Sequence, residues 1–244
     1  MYRPKQPVVS AVVLVALAVA AVSACDGVGA SKTAHDSTTV AGKVTGIRID
    51  DDNGSVRVQA SAGAAAVSVR RTVHYHGGMP GASSHTEKGV LWLSSCGQNC
   101  SADYVVTIPA GLPVSGGTSN GSVTLSGIGT ADVHTSNGKI TVTGATGAVK
   151  VRTSNGAVSV EGTRGGVDAE SSNGSITIRT STPQDIRART LNASLTVTAA
   201  PAAYRISAKT LNGARKVDLA DDPGGTYRLE LSTSNGPLTV REAR

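Results

Sequence analysis

The sequence predicts an all-β fold. It is a β-solenoid with two short strands per coil of about 18 residues, stacked as parallel sheets, with a less regular N-terminal part. Three observations predict it. The first is a repeat. Thr118-Ser119-Asn120-Gly121 returns as Thr135-Ser136-Asn137-Gly138, Thr153-Ser154-Asn155-Gly156 and Ser171-Ser172-Asn173-Gly174. Weaker copies are Thr190-Leu191-Asn192-Ala193 and Thr210-Leu211-Asn212-Gly213, and the last is Thr233-Ser234-Asn235-Gly236. Their Asn residues lie 17, 18, 18, 19, 20 and 23 apart. The second is alternation. Three and five residues after each Asn stand aliphatic pairs such as Val123 and Leu125, Ile140 and Val142, and Val158 and Val160. Six and four residues before stand Val149 and Val151, Val167 and Ala169, and Leu229 and Leu231. Each pair has the period of a strand with one buried face. The third is composition. Aromatic residues are 2% of the 244, Phe is absent and Gly fills 29 positions, as suits a thin interior of small aliphatics.

The same composition excludes other classes. Charged residues at 16% and so few aromatics do not suit a helical bundle or a large α/β enzyme. Gly lacks the every-third spacing of collagen. Regularly spaced apolar residues, 39% in all, argue against disorder.

Residues 1–24 read as a lipoprotein signal peptide. Arg3 and Lys5 precede an apolar run, Val8 to Ala21, that is too short for an ordinary bilayer span. Val22-Ser23-Ala24-Cys25 resembles a bacterial lipobox. That resemblance implies cleavage before Cys25 and a lipid anchor on its thiol. The chain is then expected at the bacterial cell membrane, lipid-anchored on the extracytoplasmic face. Loss of Arg3 and Lys5 lowers the formal charge from +6 to +4. With no basic stripe interleaved with aromatics, nucleic acid is not expected as a partner. Residues 25–40, rich in Ser, Thr and Gly, read as a flexible tether.

The solenoid is expected over residues 41–244. Ile47, Ile49, Asn53-Gly54, Val56 and Val58 share the repeat register and form the first coil. Residues 61–112 are irregular, with strands at Val67–Val69, Val90–Leu93 and Tyr104–Ile108 and with protruding loops. Cys96 and Cys100 remain as a close pair, in an exported chain most simply a disulfide. The alternative joins them with His74 and His76 around zinc, at a spacing that matches no familiar motif; no metal and no cofactor is expected. Residues 116–244 carry the regular repeats. Each Asn-Gly step reads as a bend needing positive φ, with the stacked Asn side chains forming an amide ladder. Thr or Ser two residues before Asn points inward, its hydroxyl bonded to backbone. The Asn212 copy reads as slipped by two, placing Val217 and Leu219 inward, and Gly236 is expected near the free end.

The Ser-Asn-Gly-x-Val-x-Val repeats are similar to the DUF4097 family, described as "putative adhesins" with β-helical repeats. Asp103-Tyr104-Val105-Val106-Thr107-Ile108-Pro109-Ala110-Gly111 and the upstream Cys96 and Cys100 fit it too, so the resemblance covers roughly residues 43–244. It supplies no catalytic residues.

Outward residues stack into columns: Asp132, Lys150, Asp168, Arg187 and Ser207 in one, His134, Arg152, Glu170, Arg189 and Lys209 in another. A third is nearly all hydroxyl: Thr124, Thr141, Ser159, Thr177, Thr196 and Thr239. Asp132 and Asp168 would stand two rungs apart, at the edge of an inverting glycosidase spacing, but Lys150 between them keeps both ionised. Asp50-Asp51-Asp52-Asn53-Gly54 hints at calcium without the EF-hand spacing. The expected function is non-enzymatic: an adhesion or interaction module, or a structural element of the envelope, meeting envelope polymer or protein chiefly through residues 61–112. The alternatives are an accessory or sensor component of envelope-stress signalling and, third, a carbohydrate-active enzyme.

Overall fold

The computed structural model describes residues 31–243. The expected signal peptide, Cys25 and the first part of the expected tether lie outside them. Two long sheets face each other across an aliphatic interior. In chain order, β1 (Lys32–Val40) precedes a first coil of β2 (Gly46–Asp51) and β3 (Val56–Ala60). An excursion follows: β4 (Val67–Tyr75), β5 (Ser84–Glu87), β6 (Val90–Ser94) and β7 (Cys100–Ile108). Five regular coils come next. They are β8 (Val114–Thr118) with β9 (Val123–Ser126), β10 (Ala131–Thr135) with β11 (Ile140–Thr143), and β12 (Val149–Thr153) with β13 (Val158–Glu161). Then come β14 (Val167–Ser171) with β15 (Ile176–Arg179), and β16 (Ile186–Thr190) with β17 (Leu195–Ala199). The chain closes with β18 (Tyr204–Asn212), β19 (Arg215–Val217), β20 (Tyr227–Asn235) and β21 (Leu238–Glu242).

Sheet A has the order β1-β4-β7-β3-β9-β11-β13-β15-β17-β21-β19, and sheet B the order β18-β20-β16-β14-β12-β10-β8-β2-β6-β5. Along sheet A from β3 to β19, and along sheet B from β2 to β18, all pairing is parallel and in register, so Ile140 lies between Val123 and Val158, and Val151 between Val133 and Ala169. These inward aliphatics are buried. At about 4.8 Å per strand the stack is roughly 45 Å long.

Two ladders run along the Asn-Gly bend. The side-chain amide of each Asn donates to the carbonyl oxygen of the one before, from Asn120 to Asn53 through Asn137, Asn155, Asn173 and Asn192, at 2.8–2.9 Å. Beside it the inward hydroxyls of Thr135, Thr153, Ser171 and Thr190 donate to the carbonyls of Gly121, Gly138, Gly156 and Gly174.

The glycines of this bend have a different cause from the one expected. Gly121, Gly138, Gly156 and Gly174 do not have positive φ; a Cβ on Gly156 would instead lie 1.7 Å from the Gly138 carbonyl oxygen in the coil below. Close stacking of backbone on backbone, not left-handed conformation, requires them. Positive φ belongs to the opposite bend, at Gly127, Gly144 and Gly162.

Coil order departs from chain order at both ends. The first coil is internal: β2 lies between β6 and β8, and β3 between β7 and β9. At the other end β20 and β21 slip between β16/β17 and β18/β19. Gly236 is therefore not at the free end. The ladder follows, running from Asn192 to Asn235 and then to Asn212. Nor does the Asn212 copy slip. Arg215 sits opposite Leu238 and Val217 opposite Val240, so Arg215 takes the place that other coils give to an aliphatic. Such a coil can only be terminal, where Arg215 reaches solvent.

The tether expectation is corrected over Lys32–Val40, which pairs antiparallel with all nine residues of β4. The reason is Arg71. It is 5% exposed, and its guanidinium binds the Asp36 carboxylate, the Gly81 carbonyl and the Ser83 hydroxyl. Ser83 in turn meets the Tyr104 hydroxyl, which donates to the Ser94 carbonyl at 2.7 Å. Tyr104 and Tyr204, both in coils at the ends of the stack, are aromatic rings inside an interior otherwise filled by aliphatics.

Candidate functional site

The outward faces follow from register. On sheet A, the hydroxyl column runs unbroken from Thr124 through Thr141, Ser159, Thr177 and Thr196 to Thr239, with Arg57 at one end and Lys216 at the other. On sheet B the charged column reads Asp132, Lys150, Asp168, Arg187, Glu230, Ser207. Glu230 was not foreseen there. The swapped coil order inserts it after Arg187 and prolongs the alternation of sign. The neighbouring column reads His134, Arg152, Glu170, Arg189, Ser232, Lys209. Lys150 stands 3.8 Å from Asp132, and the Arg152 Nε donates to Glu170 at 3.0 Å.

A shallow groove of about 440 Å³ crosses the start of β12, β14, β16 and β20. Lys150, Asp168, Asp185, Arg187, Arg228 and Glu230 border it. The Asp185 carboxylate accepts from the Arg228 backbone N–H at 2.8 Å. One Asp168 oxygen is buried without a hydrogen-bond partner. Asp132 and Asp168 do lie two rungs apart with Lys150 between them. Among the described residues no aromatic ring borders this groove.

The irregular segment has structural partners for most of its noted side chains. Trp92 stacks on His85, ring centres 6.0 Å apart, and Arg48 covers its other side. His74 Nδ1 bonds Thr33 at 3.0 Å. Cys96 and Cys100 form a disulfide with the sulfurs 2.03 Å apart. His74 and His76 do come beside Cys100, because β4 pairs with β7 as Tyr75 opposite Cys100, but the two sulfurs are bonded to each other rather than offered as thiolates. Among the described residues no three His, Cys, Asp or Glu side chains cluster as metal ligands. The run Asp50-Asp51-Asp52 is split, with Asp50 and Asp52 in solvent and Asp51 turned inward.

Asp51 is the group that sequence reasoning missed. It holds the rung position that Thr118, Thr135 and Thr153 hold elsewhere. One of its oxygens accepts from the Asp52 N–H at 3.0 Å, while the other is buried without a partner. Burial pushes its pKa up to about 6. Its place two residues before Asn53 was the available signal.

No family model matches the chain, and no curated protein matches it. Solved structures resemble it. A "putative cell adhesion protein" from Clostridium sporogenes is 12% identical, with a TM-score of 0.37 over 87% of this chain and all of its own. A "putative adhesin" from Bacteroides fragilis is 14% identical, with a TM-score of 0.40 over 87% of this chain and 97% of its own.

Proposed function

We propose that this protein is a non-enzymatic interaction module of the bacterial cell envelope, held on the extracytoplasmic face by lipid on Cys25. One observation supports the reading above others: polar columns remain in register over six strands on both sheets. Such a surface repeats one shallow contact many times, which suits avidity toward a polymer or a crowded surface. It does not concentrate affinity in a buried anchor. A lipid on Cys25 would place the β1 end of the stack near the membrane and β18 away from it.

The test is capture of envelope components by the purified protein, with Cys25→Ser as the anchoring control. Cys25→Ser is expected to leave the chain unlipidated by mass spectrometry and still able to capture. Turnover of a polysaccharide abolished by Asp168→Asn would replace this reading with an enzymatic one.

A further inference from the structure

We propose that the β18 end of the sheet B face binds a linear polyol-phosphate chain through Arg187, Arg189, Arg205, Lys209 and Arg228. This assignment deepens the interaction-module reading and rests on it.

The face divides into two parts. On β10, β12 and β14 the cations are neutralised: Lys150 lies by Asp132 and Arg152 binds Glu170. On β16, β20 and β18 five cations face outward against Glu230 and the adjoining Asp185, and among the described residues none of the five forms a salt bridge. Arg205 stands directly beside Arg228 on the next strand. Like charges so placed cost stability, and alternation elsewhere on this face shows that the fold does not require them. The Arg205 Nε is buried without a hydrogen-bond partner.

Three of these cations border a groove of about 210 Å³, with Arg187 and Arg189 on one wall and Lys209 on the other. Glu230 and Ser232 of β20 lie between them, and Ser207 stands beside Lys209 on β18. Guanidinium forks match phosphate oxygens in pairs. The two hydroxyls add donors, and the Glu230 carboxylate accepts from a free hydroxyl of the chain. Arg189 and Lys209 are two rungs apart, about 9.6 Å, so a flexible chain can bridge successive cations where a single phosphate cannot. A nucleic acid fits less well. Tyr204 is buried and Tyr227 packs against it, so these strands offer no open ring for a base to stack on.

The experiment measures binding of poly(glycerol phosphate) to the full-length protein in detergent, over a range of salt. Arg189→Gln with Lys209→Gln is expected to weaken binding about ten-fold or more and to flatten the salt dependence by about two phosphate contacts. Lys150→Gln with Arg152→Gln, on the neutralised part, is expected to change it less than about two-fold. Circular dichroism checks that both variants are folded. Equal losses in the two variants would overturn the assignment to this end. An oligonucleotide bound as tightly as the polymer would overturn the polyol-phosphate class. Wild-type protein that captures envelope material but not the polymer would overturn this assignment alone and leave the interaction reading standing.

Discussion

At the scale of single residues, Asp51 carries an unusual sign. A carboxyl raised from 3.8 to about 6 in the folded chain binds its proton more tightly there than in the unfolded chain. Its contribution to stability is therefore complete below about pH 4 and is lost as pH rises through about 6. Asp51→Asn keeps the shape and removes the charge. It is expected to raise stability at pH 7.5 by about 1–3 kcal/mol and to leave it nearly unchanged at pH 4. Melting temperatures of both proteins across that range decide the matter, and parallel curves would contradict it. Glycine gives a second contrast. A Cβ on Gly156 would meet backbone at 1.7 Å, whereas Gly144 has φ of +66° and a Cβ there would meet nothing nearer than 3.9 Å. Asn tolerates positive φ but cannot shed its Cβ. Gly144→Asn should cost less than Gly144→Ala, while Gly156→Asn and Gly156→Ala should both cost about 2 kcal/mol or more. Urea unfolding of the four variants measures this.

At the scale of the coil, the two ladders differ in what they leave behind when cut. Asn155 is exposed, and Asn155→Ala returns its partners to water. Thr153 is buried, donates to the Gly138 carbonyl and accepts from the Gly156 N–H. Thr153→Val fills the same space but strips both groups of that partner in the interior. It is expected to cost about 1–3 kcal/mol, against less than about 1 kcal/mol for Asn155→Ala. Similar values in thermal unfolding would show that the hydroxyls are dispensable. Both ladders were legible in the sequence, because Asn and Thr recur at fixed offsets: strand parity sends Thr inward, and Asn, two residues on, already lies in the bend beyond the strand end. β1 was not. Lys32–Val40 has the Ser and Thr of a linker, and what orders it is a buried Arg71 whose role appears only when Asp36 is beside it. The reason for the Asn-Gly glycines was also hidden. A glycine that avoids a clash with another coil looks the same in sequence as one that turns the chain.

At the scale of the whole molecule, the repeats announced the solenoid but not its order. Spacing shows that coils stack; which coil ends the stack depends on which can afford an open side. Arg215 at an inward position was the available sign, together with Leu211, which is 81% exposed in the terminal coil. The charged column was read across the wrong neighbour for that reason, with Ser207 placed after Arg187 where Glu230 stands. The swapped order makes a clear distinction between two glycines. A Cβ on Gly236 would meet the Ala193 carbonyl oxygen at 2.3 Å, inside the stack between β17 and β19. A Cβ on Gly213 would meet the Gly236 carbonyl oxygen at 2.2 Å, but only on the last coil. In a stack of mutually dependent coils an end can open alone, while an internal break removes support from both sides. Gly236→Val is therefore expected to speed amide hydrogen exchange in β16, β17, β18 and β19 together. Gly213→Val should speed it only in β18 and β19 and leave β16 and β17 protected. If Gly236→Val instead confines its effect to β20 and β21, the chain stacks in sequence order and the swapped end is wrong.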